Sequence, residues 1–236
     1  GTRYKLDDFA PYIYKTTDYG KTWTLIVSGI APLHFTRVMR ADHKRDGLLY
    51  AGTEYGMYIS YDDGASWKPF QLNLPMVPIT DLTIKDNDLI VATQGRAFWV
   101  LDDLTTIQQY DPSITSKKLH VFPVNEVWRI PGDAGGGFRG SLPSNAGSNP
   151  QAGAIVNWFV SDTFKVSDTS TKSSLTILDE KHKIIKTYTP DDKENLLDIK
   201  PGMNRFAWNL LYGTGEKIEG MILWNGVPGN ITAPPG

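Results

Sequence analysis

Hydrophobic residues fall in short runs that alternate with polar residues and stop at Gly, Asn or Asp. Such alternation predicts β-strands, and no window carries the apolar stripe of a long helix. The pattern therefore predicts an all-β chain, with a single short helical turn at 111–117 that has Pro112 at its first position. Before this turn we predict strands at 11–15, 22–27, 36–40, 48–52, 57–61, 67–71, 81–85, 89–93, 97–101 and 105–109.

One motif occurs twice in the first part of the chain, 44 residues apart. Residues 16–23 are TTDYGKTW and residues 60–67 are SYDDGASW. Both carry a hydroxyl residue, Asp, Gly, a second hydroxyl residue and Trp at the same places, and we call them the first and second Asp turns. The matched positions are Thr16, Asp18, Gly20, Thr22 and Trp23 in the first, and Ser60, Asp62, Gly64, Ser66 and Trp67 in the second.

Each matched residue has a role in a tight connection between strands. The hydroxyl and the Asp carboxylate can accept hydrogen bonds from turn amides. Glycine allows a positive φ, and the Trp ring can insert between neighbouring sheets. A catalytic role would instead need two carboxylates facing each other across a cleft, roughly 5 to 9 Å apart. Asp18 and Asp62 are therefore predicted to be structural.

A third, degraded copy of the repeat follows the second. Residues 51–63 align with residues 91–103, and the next positions have lost the motif. Leu104 replaces the turn glycine and Ile107 replaces the Trp. The repeat therefore continues through residue 109 with a weaker turn signal.

The repeat has the size of one β-propeller blade, which is about 40 to 45 residues with four short strands. Residues 11–27 supply two strands of a blade, and residues 36–71 and 81–109 supply two complete blades. Closed propellers have about four to eight blades. We therefore expect a partial β-propeller of two and a half blades, either as a fragment of a longer protein or in an open arrangement.

The composition changes after residue 130. Residues 131–153 are rich in Gly, Pro, Ser and Asn, which predicts a linker. The apolar stretch 119–130 before it is expected to pack against the blades. After the linker, alternation without the Asp motif predicts an immunoglobulin-like β-sandwich, truncated at its C-terminus. The predicted domains are 1–130, 131–153 and 154–236, and the strands of the last are 155–160, 174–178, 184–188, 196–199, 205–210 and 221–224.

The Asp turns resemble the Asp box, S/T-x-D-x-G-x-S/T-W, of sialidase-type, xyloglucanase-type and sortilin-type propellers. In those families the box is a peripheral structural turn, distant from the substrate site. Residues 48–53 and 88–103 also resemble the last blades of secreted bacterial proteins known as BNR-repeat or sortilin-like glycosyl hydrolases. One departure from that pattern is Gln94, where those proteins usually have His before Gly-Arg.

The C-terminal part resembles the module that follows the blades in these glycosyl hydrolases. The resemblance rests on residues 202–210, 220–224 and 233–236. Residues 175–186 are also similar to the sandwich of flagellar-hook-cap and surface-sorting domains, which are accessory modules. Together these resemblances imply a secreted, periplasmic or cell-surface bacterial protein. They imply hydrolase activity in the whole protein and its remaining blades as partners of this portion.

Composition and charge narrow the function further. The 24 Lys and Arg residues against 26 Asp and Glu give a net charge of −2, so no overall basic field exists to hold nucleic acid or an anionic membrane. No apolar run is long enough for a membrane-spanning helix. The chain has no Cys, which excludes disulfides and thiolate metal sites. Its four His residues show no metal-ligand spacing, so no metal and no cofactor are predicted.

Arg96 and Trp99 are the candidate ligand-binding residues. They lie at a predicted turn between two strands, near a rim or channel end where propellers usually bind ligands. An aromatic face stacks on sugar C–H groups, and Arg donates a fork of hydrogen bonds. The structural alternative is that Arg96 pairs with a nearby acid and Trp99 belongs to the core. No catalytic residue can be assigned from the sequence.

Two functions remain open at this point. In the first, the chain is the mainly structural or carbohydrate-contacting C-terminal part of a secreted glycosyl hydrolase. In the second, it is a non-enzymatic sortilin-like module that binds peptides or proteins, an analogy of fold alone. In either case, open sheet edges at the ends of the partial propeller are expected to favour self-association.

Overall fold

Short strands joined by tight turns give this chain several small sheets. The computed structural model describes residues 3–128, 151, 153–163, 173–191, 197–212 and 232–233. These residues are mostly β and form five antiparallel sheets, none of them closed into a barrel. The prediction of a β-rich chain is confirmed at this level. The chain divides into two compact units, Gly1–Gln109 and Tyr110–Gly236.

The described residues of the first unit form three sheets after a short 3-10 helix (Tyr4–Leu6). Each sheet is built from strands that follow one another in the chain, so that every pairing is a hairpin. The strands are β1 (Tyr14–Lys15) and β2 (Thr24–Leu25) in sheet 1; β3 (Thr36–Ala41), β4 (Leu49–Thr53), β5 (Gly56–Ser60) and β6 (Lys68–Pro69) in sheet 2; and β7 (Ile79–Lys85), β8 (Asp88–Thr93) and β9 (Phe98–Leu101) in sheet 3.

Sheet 2 lies between the other two sheets of this unit. Every residue of β4 and β5 is buried, so both faces of these strands are covered. One face packs on the sheet 1 segment through the 1–2 cluster, and the other packs on sheet 3 through the 2–3 cluster. The buried members of the 1–2 cluster are Ile13, Ile30, Leu49, Ala51, Tyr58 and Trp67; those of the 2–3 cluster are Leu48, Tyr50, Met57, Ile59, Leu74, Ile79, Leu82, Leu89, Val91 and Leu104.

Sheets 2 and 3 share details of their backbones. The first strand of each shifts register against its neighbour, between Thr36 and Val38 in β3 and between Ile79 and Asp81 in β7. Gly52 allows the two sheets to approach closely, because a Cβ at this position would lie 2.5 Å from Cγ2 of Ile79. The sequence repeat therefore corresponds to a structural repeat in which three-stranded units stack face to face.

Residues 105–109 form a helix, α1 (Thr105–Gln109), where the sequence predicts a strand. Asp103 has a φ of 59°, the same left-handed conformation as Asp63 in the second Asp turn. In that turn Gly64 follows with a second positive φ, 85°. The third copy has Leu104 instead, and a second left-handed residue is costly for a side chain of this kind. The chain therefore continues into a helix, the strand prediction is wrong, and sheet 3 has three strands.

A second short helical segment follows α1. The 3-10 helix Pro112–Ser116 has Pro at its start, as predicted for 111–117. The Asp111 carboxylate accepts a hydrogen bond from the amide of Ser113 at 2.8 Å and so caps the helix. The short turn predicted at this place is confirmed.

The described residues of the second unit form two sheets that share one hydrophobic cluster. Residues 119–130 were expected to pack against the predicted blades; the start of this stretch, residues 119–121, forms a strand of the second unit that pairs with residues 158–160. Sheet 4 has the order β10 (Leu119–Val121), β11 (Ala154–Val160), β14 (Gly202–Trp208), and sheet 5 pairs β12 (Leu175–Leu178) with β13 (Ile184–Tyr188).

Parts of the second-unit prediction lie outside the described residues. These parts are most of the linker and the strand at 221–224. Residues 197–199, which belong to the strand predicted at 196–199, are not in a strand. The clearest alternation is in β11, where buried and half-buried residues alternate along the whole strand. Its buried residues Val156, Trp158 and Val160 belong to the shared cluster.

Candidate functional site

The first Asp turn is closed by five hydrogen bonds. The Thr16 hydroxyl donates to Oδ1 of Asp18 (2.9 Å) and accepts from the amides of Asp18 (3.4 Å) and Gly20 (2.8 Å). Asp18 also accepts from the amide and the hydroxyl of Thr22, at 2.9 and 2.7 Å. The polar side chains that the motif repeats are therefore used within the turn itself.

The second Asp turn has the same five hydrogen bonds. The Ser60 hydroxyl donates to Asp62 (2.8 Å) and accepts from the amides of Asp62 (3.4 Å) and Gly64 (2.9 Å). Asp62 accepts from the amide and the hydroxyl of Ser66, at 2.8 and 2.5 Å. Gly20 and Gly64 both have a positive φ, 90° and 85°. The two turns are thus equivalent in the hydrogen bonds of their hydroxyl and Asp side chains.

The two Trp residues differ, and this corrects the expectation that both rings insert between sheets. Trp67 is 3% exposed, belongs to the 1–2 cluster and donates from Nε1 to the carbonyl of Ile26 at 2.8 Å. Trp23 is 58% exposed and donates to the carbonyl of Gly20 within its own turn. The difference follows from position: Trp67 has sheet 1 beside it, whereas the described residues contain no sheet before sheet 1.

Hydrogen bonding keeps both Asp carboxyls ionised. The backbone and side chain of Thr22, followed by the hydroxyl of Thr16, lower the pKa of Asp18 to about 2. Burial works against ionisation at Asp62, but hydrogen bonds from Ser66 and Ser60 outweigh it and lower the pKa of this carboxyl as well. A general acid in glycoside hydrolysis needs a raised pKa. The arrangement therefore suits a structural role and opposes the role of general acid.

The loop that carries Arg96 is closed by hydrogen bonds at its base, and residues 94–97 are exposed. Thr93 donates from its amide and its hydroxyl to the carbonyl of Ala97, at 3.1 and 2.6 Å. Arg96 is exposed, and its guanidinium makes no ion pair with any described residue. Trp99 is half-buried against the 2–3 cluster and donates from Nε1 to the carbonyl of Arg96 at 3.0 Å. The structure thus brings the two predicted residues together and leaves the guanidinium available.

A polar cluster around Asp42 has no signal in the sequence. Asp42 is 7% exposed, and its carboxylate accepts from the amides of Lys44 and Arg45 and from the side-chain amide of Gln108. Arg45 donates to the last carbonyls of α1, and burial raises the pKa of Tyr50, which donates to Asp42. The cluster ties α1 to the loop after β3. Because α1 itself was not predicted, its partners were missed.

Among the clefts that the described residues form, two each lie within a single unit. The first, of about 480 Å³, lies between β2 and the second Asp turn, and the ion pair between Lys15 and Asp63 lines it. The second, of about 710 Å³, lies in the second unit and combines carboxylates with aromatic rings. Trp128 at its mouth is 93% exposed. Other residues that line the second cleft are Glu126, Asp179, Glu180, Trp208 and Tyr212.

The described residues contain neither a cluster of metal ligands nor a membrane-spanning helix. They contain no group of three or more His, Cys, Asp or Glu side chains placed to hold a metal ion. No helix in the described part of the chain is both long and apolar enough to cross a membrane. The candidate chemistry is therefore that of Arg96 in the first unit and of the Trp128 cleft in the second.

Comparison with known proteins adds no family. No protein-family model matches the chain, and a search of curated proteins finds no significant match.

Proposed function

We propose that this chain is a structural and carbohydrate-contacting part of a secreted Asp-box propeller protein of the glycosyl hydrolase type. The observation that carries the proposal is the repetition of five identical hydrogen bonds in two Asp turns, in successive sheets that stack face to face. Stacked antiparallel sheets of this size are the units from which propellers are built. On this proposal sheets 1 to 3 are blades, and the second unit is the immunoglobulin-like accessory module.

The chemistry of the two Asp turns favours a non-catalytic role for this portion. Asp18 and Asp62 have both carboxylate oxygens engaged in turn hydrogen bonds. Hydrolysis would need a protonated carboxyl near neutral pH and a second carboxylate opposite it. The acid pair of the whole protein would then come from outside these turns.

Two places on the chain have groups that suit carbohydrate. Arg96 presents an exposed guanidinium, which can donate several hydrogen bonds to sugar hydroxyls or to a carboxylate. Trp128 presents an exposed ring beside Glu126 and Glu180, and an aromatic face next to polar groups fits a pyranose. We propose both as contact sites, one in each unit.

The test is binding and hydrolysis of a broad oligosaccharide and polysaccharide panel by this chain. We expect binding without hydrolysis, weakened by Arg96→Ala or Trp128→Ala. Arg40→Ala is the matched control, because Arg40 is also exposed but is already paired with Asp81 at 2.7 Å. Hydrolysis by this chain, or an absence of binding to every glycan, would contradict the proposal.

A second candidate function is peptide binding, and the edge of sheet 3 favours it. Sheet 2 has a fourth strand, β6, beside β5, whereas no described strand pairs with the outer edge of β9. An extended peptide can add to such an edge through main-chain hydrogen bonds. Protection of β9 amides from hydrogen exchange by a bound peptide would support this function over the first.

A further inference from the structure

The outer face of sheet 3 has an exposed apolar patch on β8 and β9, flanked by Thr83 and Lys85 of β7 and by Asp88 at the start of β8. In β8 and β9, Leu89, Val91, Trp99 and Leu101 join the 2–3 cluster, so the alternate residues point away from sheet 2. These alternate residues form two cross-strand pairs, and the β9 member of each is well exposed, at 75% for Phe98 and 53% for Val100. The pairs are Ile90 with Val100 and Ala92 with Phe98.

The equivalent positions of sheet 2 show how the outer face of sheet 3 can be covered. By the cross-strand register, Phe98 corresponds to Met57 and Val100 to Ile59, because the β8–β9 hairpin is one residue longer than the β4–β5 hairpin. Met57 and Ile59 are buried because sheet 3 packs on them in the 2–3 cluster. Ala92 corresponds to Gly52, the position that allows this close approach. The outer face of sheet 3 is therefore the equivalent of a face that receives the next sheet.

The other end of the stack has the complementary face. On sheet 1, Tyr14 and Leu25 form a cross-strand pair and are 50% and 47% exposed. The repeat places Tyr14 in the position of Tyr58, which is buried against sheet 1, and of Trp99, which packs towards sheet 2. The outer face of sheet 1 is therefore the equivalent of a face that packs on the preceding sheet.

The two internal interfaces define a series of residue pairs. Ile13 and Tyr58 share the 1–2 cluster, and Met57 and Trp99 share the 2–3 cluster. The next pair in this series joins Phe98 to a residue that holds the position of Tyr58. Among the described sheets, Tyr14 is the residue at that position that no neighbouring sheet covers.

We infer that the outer face of sheet 3 docks against the outer face of sheet 1 of a second copy of this chain. The association is head to tail, because the two faces are opposite sides of one repeated interface. The partner is a second copy because one chain carries both complementary faces, and each continues an interface that already exists inside it. The inference does not depend on the proposed carbohydrate function.

A further pair gives a position for cross-linking. Lys15 of sheet 1 forms an ion pair with Asp63 in the turn of sheet 2. Val100 holds the position of Lys15 in sheet 3, and Tyr19 holds the position of Asp63 in the first Asp turn. Tyr19 is fully exposed. Val100 of one copy and Tyr19 of the next are therefore expected to be neighbours. Substituting these two residues leaves Phe98 and Tyr14, the pair expected to make the central contact, unchanged.

The experiment uses the absence of Cys from the natural chain. Val100→Cys and Tyr19→Cys are made separately in the full chain and treated with a short bis-maleimide, each alone and as a mixture. The inference expects cross-linked dimer in the mixture at about tenfold the level of either variant alone. Equal cross-linking in the single-variant samples would indicate a face-to-itself dimer and would overturn the head-to-tail inference.

Sedimentation velocity supplies a second, independent measurement. Phe98→Asp is expected to weaken the self-association constant by about tenfold or more, because it places a charge at the centre of an apolar contact. Leu33→Asp is the control, since Leu33 is 66% exposed but lies on neither face. Because Phe98 and Leu33 are both exposed, neither substitution is expected to disrupt the fold, and circular dichroism checks that both variants are folded. A natural chain that stays monomeric at high concentration would overturn the inference.

Labelling of Phe98→Cys with a monofunctional maleimide distinguishes whether a second copy or a segment of the same chain covers the outer face of sheet 3. Rapid labelling of the dilute chain that slows as concentration rises supports a second copy. Slow labelling at every concentration would mean that a segment of the same chain covers the face, and would overturn the inference.

Discussion

Trp23 and Trp67 hold the same position in two equivalent turns but differ in burial, 58% against 3% exposed. Replacing a fully buried ring by Ala costs about 3 to 5 kcal/mol. We therefore expect Trp67→Ala to lower the free energy of unfolding by that amount, and Trp23→Ala to lower it by less than about 1 kcal/mol. Urea unfolding followed by circular dichroism measures both. Equal losses would contradict the packing of sheet 1 on sheet 2.

The turn glycines form a second matched pair. Both have a positive φ, which costs a residue with a side chain about 1 to 3 kcal/mol. At Gly64 a Cβ would also lie 2.4 Å from Cδ1 of Ile26, whereas at Gly20 its nearest contact is Trp23 at 3.7 Å. Gly64→Ala is therefore expected to be more destabilising than Gly20→Ala by about 1 to 3 kcal/mol. A thermal unfolding series decides this, and equal shifts in Tm would argue against the contact.

The ionised Asp carboxyls predict a pH dependence. The pKa of Asp18 falls from an unfolded value of about 3.9 to about 2 in the folded chain, and that of Asp62 is also lowered. A group with a lower pKa in the folded state contributes stability above its unfolded pKa, and that contribution is lost as the pH falls towards the folded value. Stability is therefore expected to decrease between about pH 4 and pH 2.

The matched variants for this pH dependence are Asp62→Asn and Asp81→Asn. Asp62→Asn should flatten the acid part of the stability curve, because the variant has no carboxyl to protonate in the second turn. Asp81 is exposed and forms a surface ion pair with Arg40, so Asp81→Asn should leave the shape nearly unchanged. Denaturant melts at several acid pH values provide the curves, and parallel curves for Asp62→Asn and the natural chain would refute the prediction.

At the scale of elements, α1 depends on the cluster around Asp42. Removing this buried acceptor leaves the Gln108 side chain and two loop amides without their partner, which costs about 1 to 3 kcal/mol. Asp42→Ala is therefore expected to destabilise the chain by that amount and to speed hydrogen exchange in α1. Asp198→Ala is the control, because Asp198 is exposed, forms a surface ion pair with Lys200 and lies outside the cluster around Asp42. Unchanged exchange in α1 after Asp42→Ala would show that the cluster does not hold the helix.

The third repeat shows how one substitution changes an element. Asp103 keeps the left-handed conformation of the earlier turns, and its carboxylate accepts from the amide of Thr105 at 3.1 Å. Leu104 is fully buried in the 2–3 cluster. Leu104 stands in place of Gly64, whose positive φ a leucine does not readily adopt, and the following residues form α1 instead of a fourth strand. The alternation at 105–109 could not reveal this, because five residues fit a strand and a helical turn equally well.

At the scale of the whole molecule, self-association is expected through faces rather than through sheet edges alone. Of the outward-facing positions on β8 and β9, Ile90, Ala92, Phe98 and Val100 are apolar, and Asp88 at the start of β8 is the charged member. Salt at about 1 M screens charges beyond about 3 Å but does not weaken apolar contact. Sedimentation coefficients that rise with protein concentration equally at low and high NaCl would support association through this face. Dissociation by NaCl would point to charged contacts instead.

The sequence by itself determined the features that depend on neighbouring residues. Alternation located β3 to β5 and β7 to β9 close to their observed limits, and the repeated motif identified the hydroxyl and Asp side chains that close the two turns. These features require hydrogen bonds over only a few residues and a strict period of two. Such information is present in any short window of the chain.

Only the tertiary structure decided which equivalent residues are buried. Trp67 is buried because sheet 1 lies beside it, Trp23 is exposed because no described sheet precedes its own, and Asp42 has partners because α1 lies against its loop. The burial of a side chain depends on which element packs against it in space. The same local motif is therefore buried in the middle of the stack of sheets and exposed at its end.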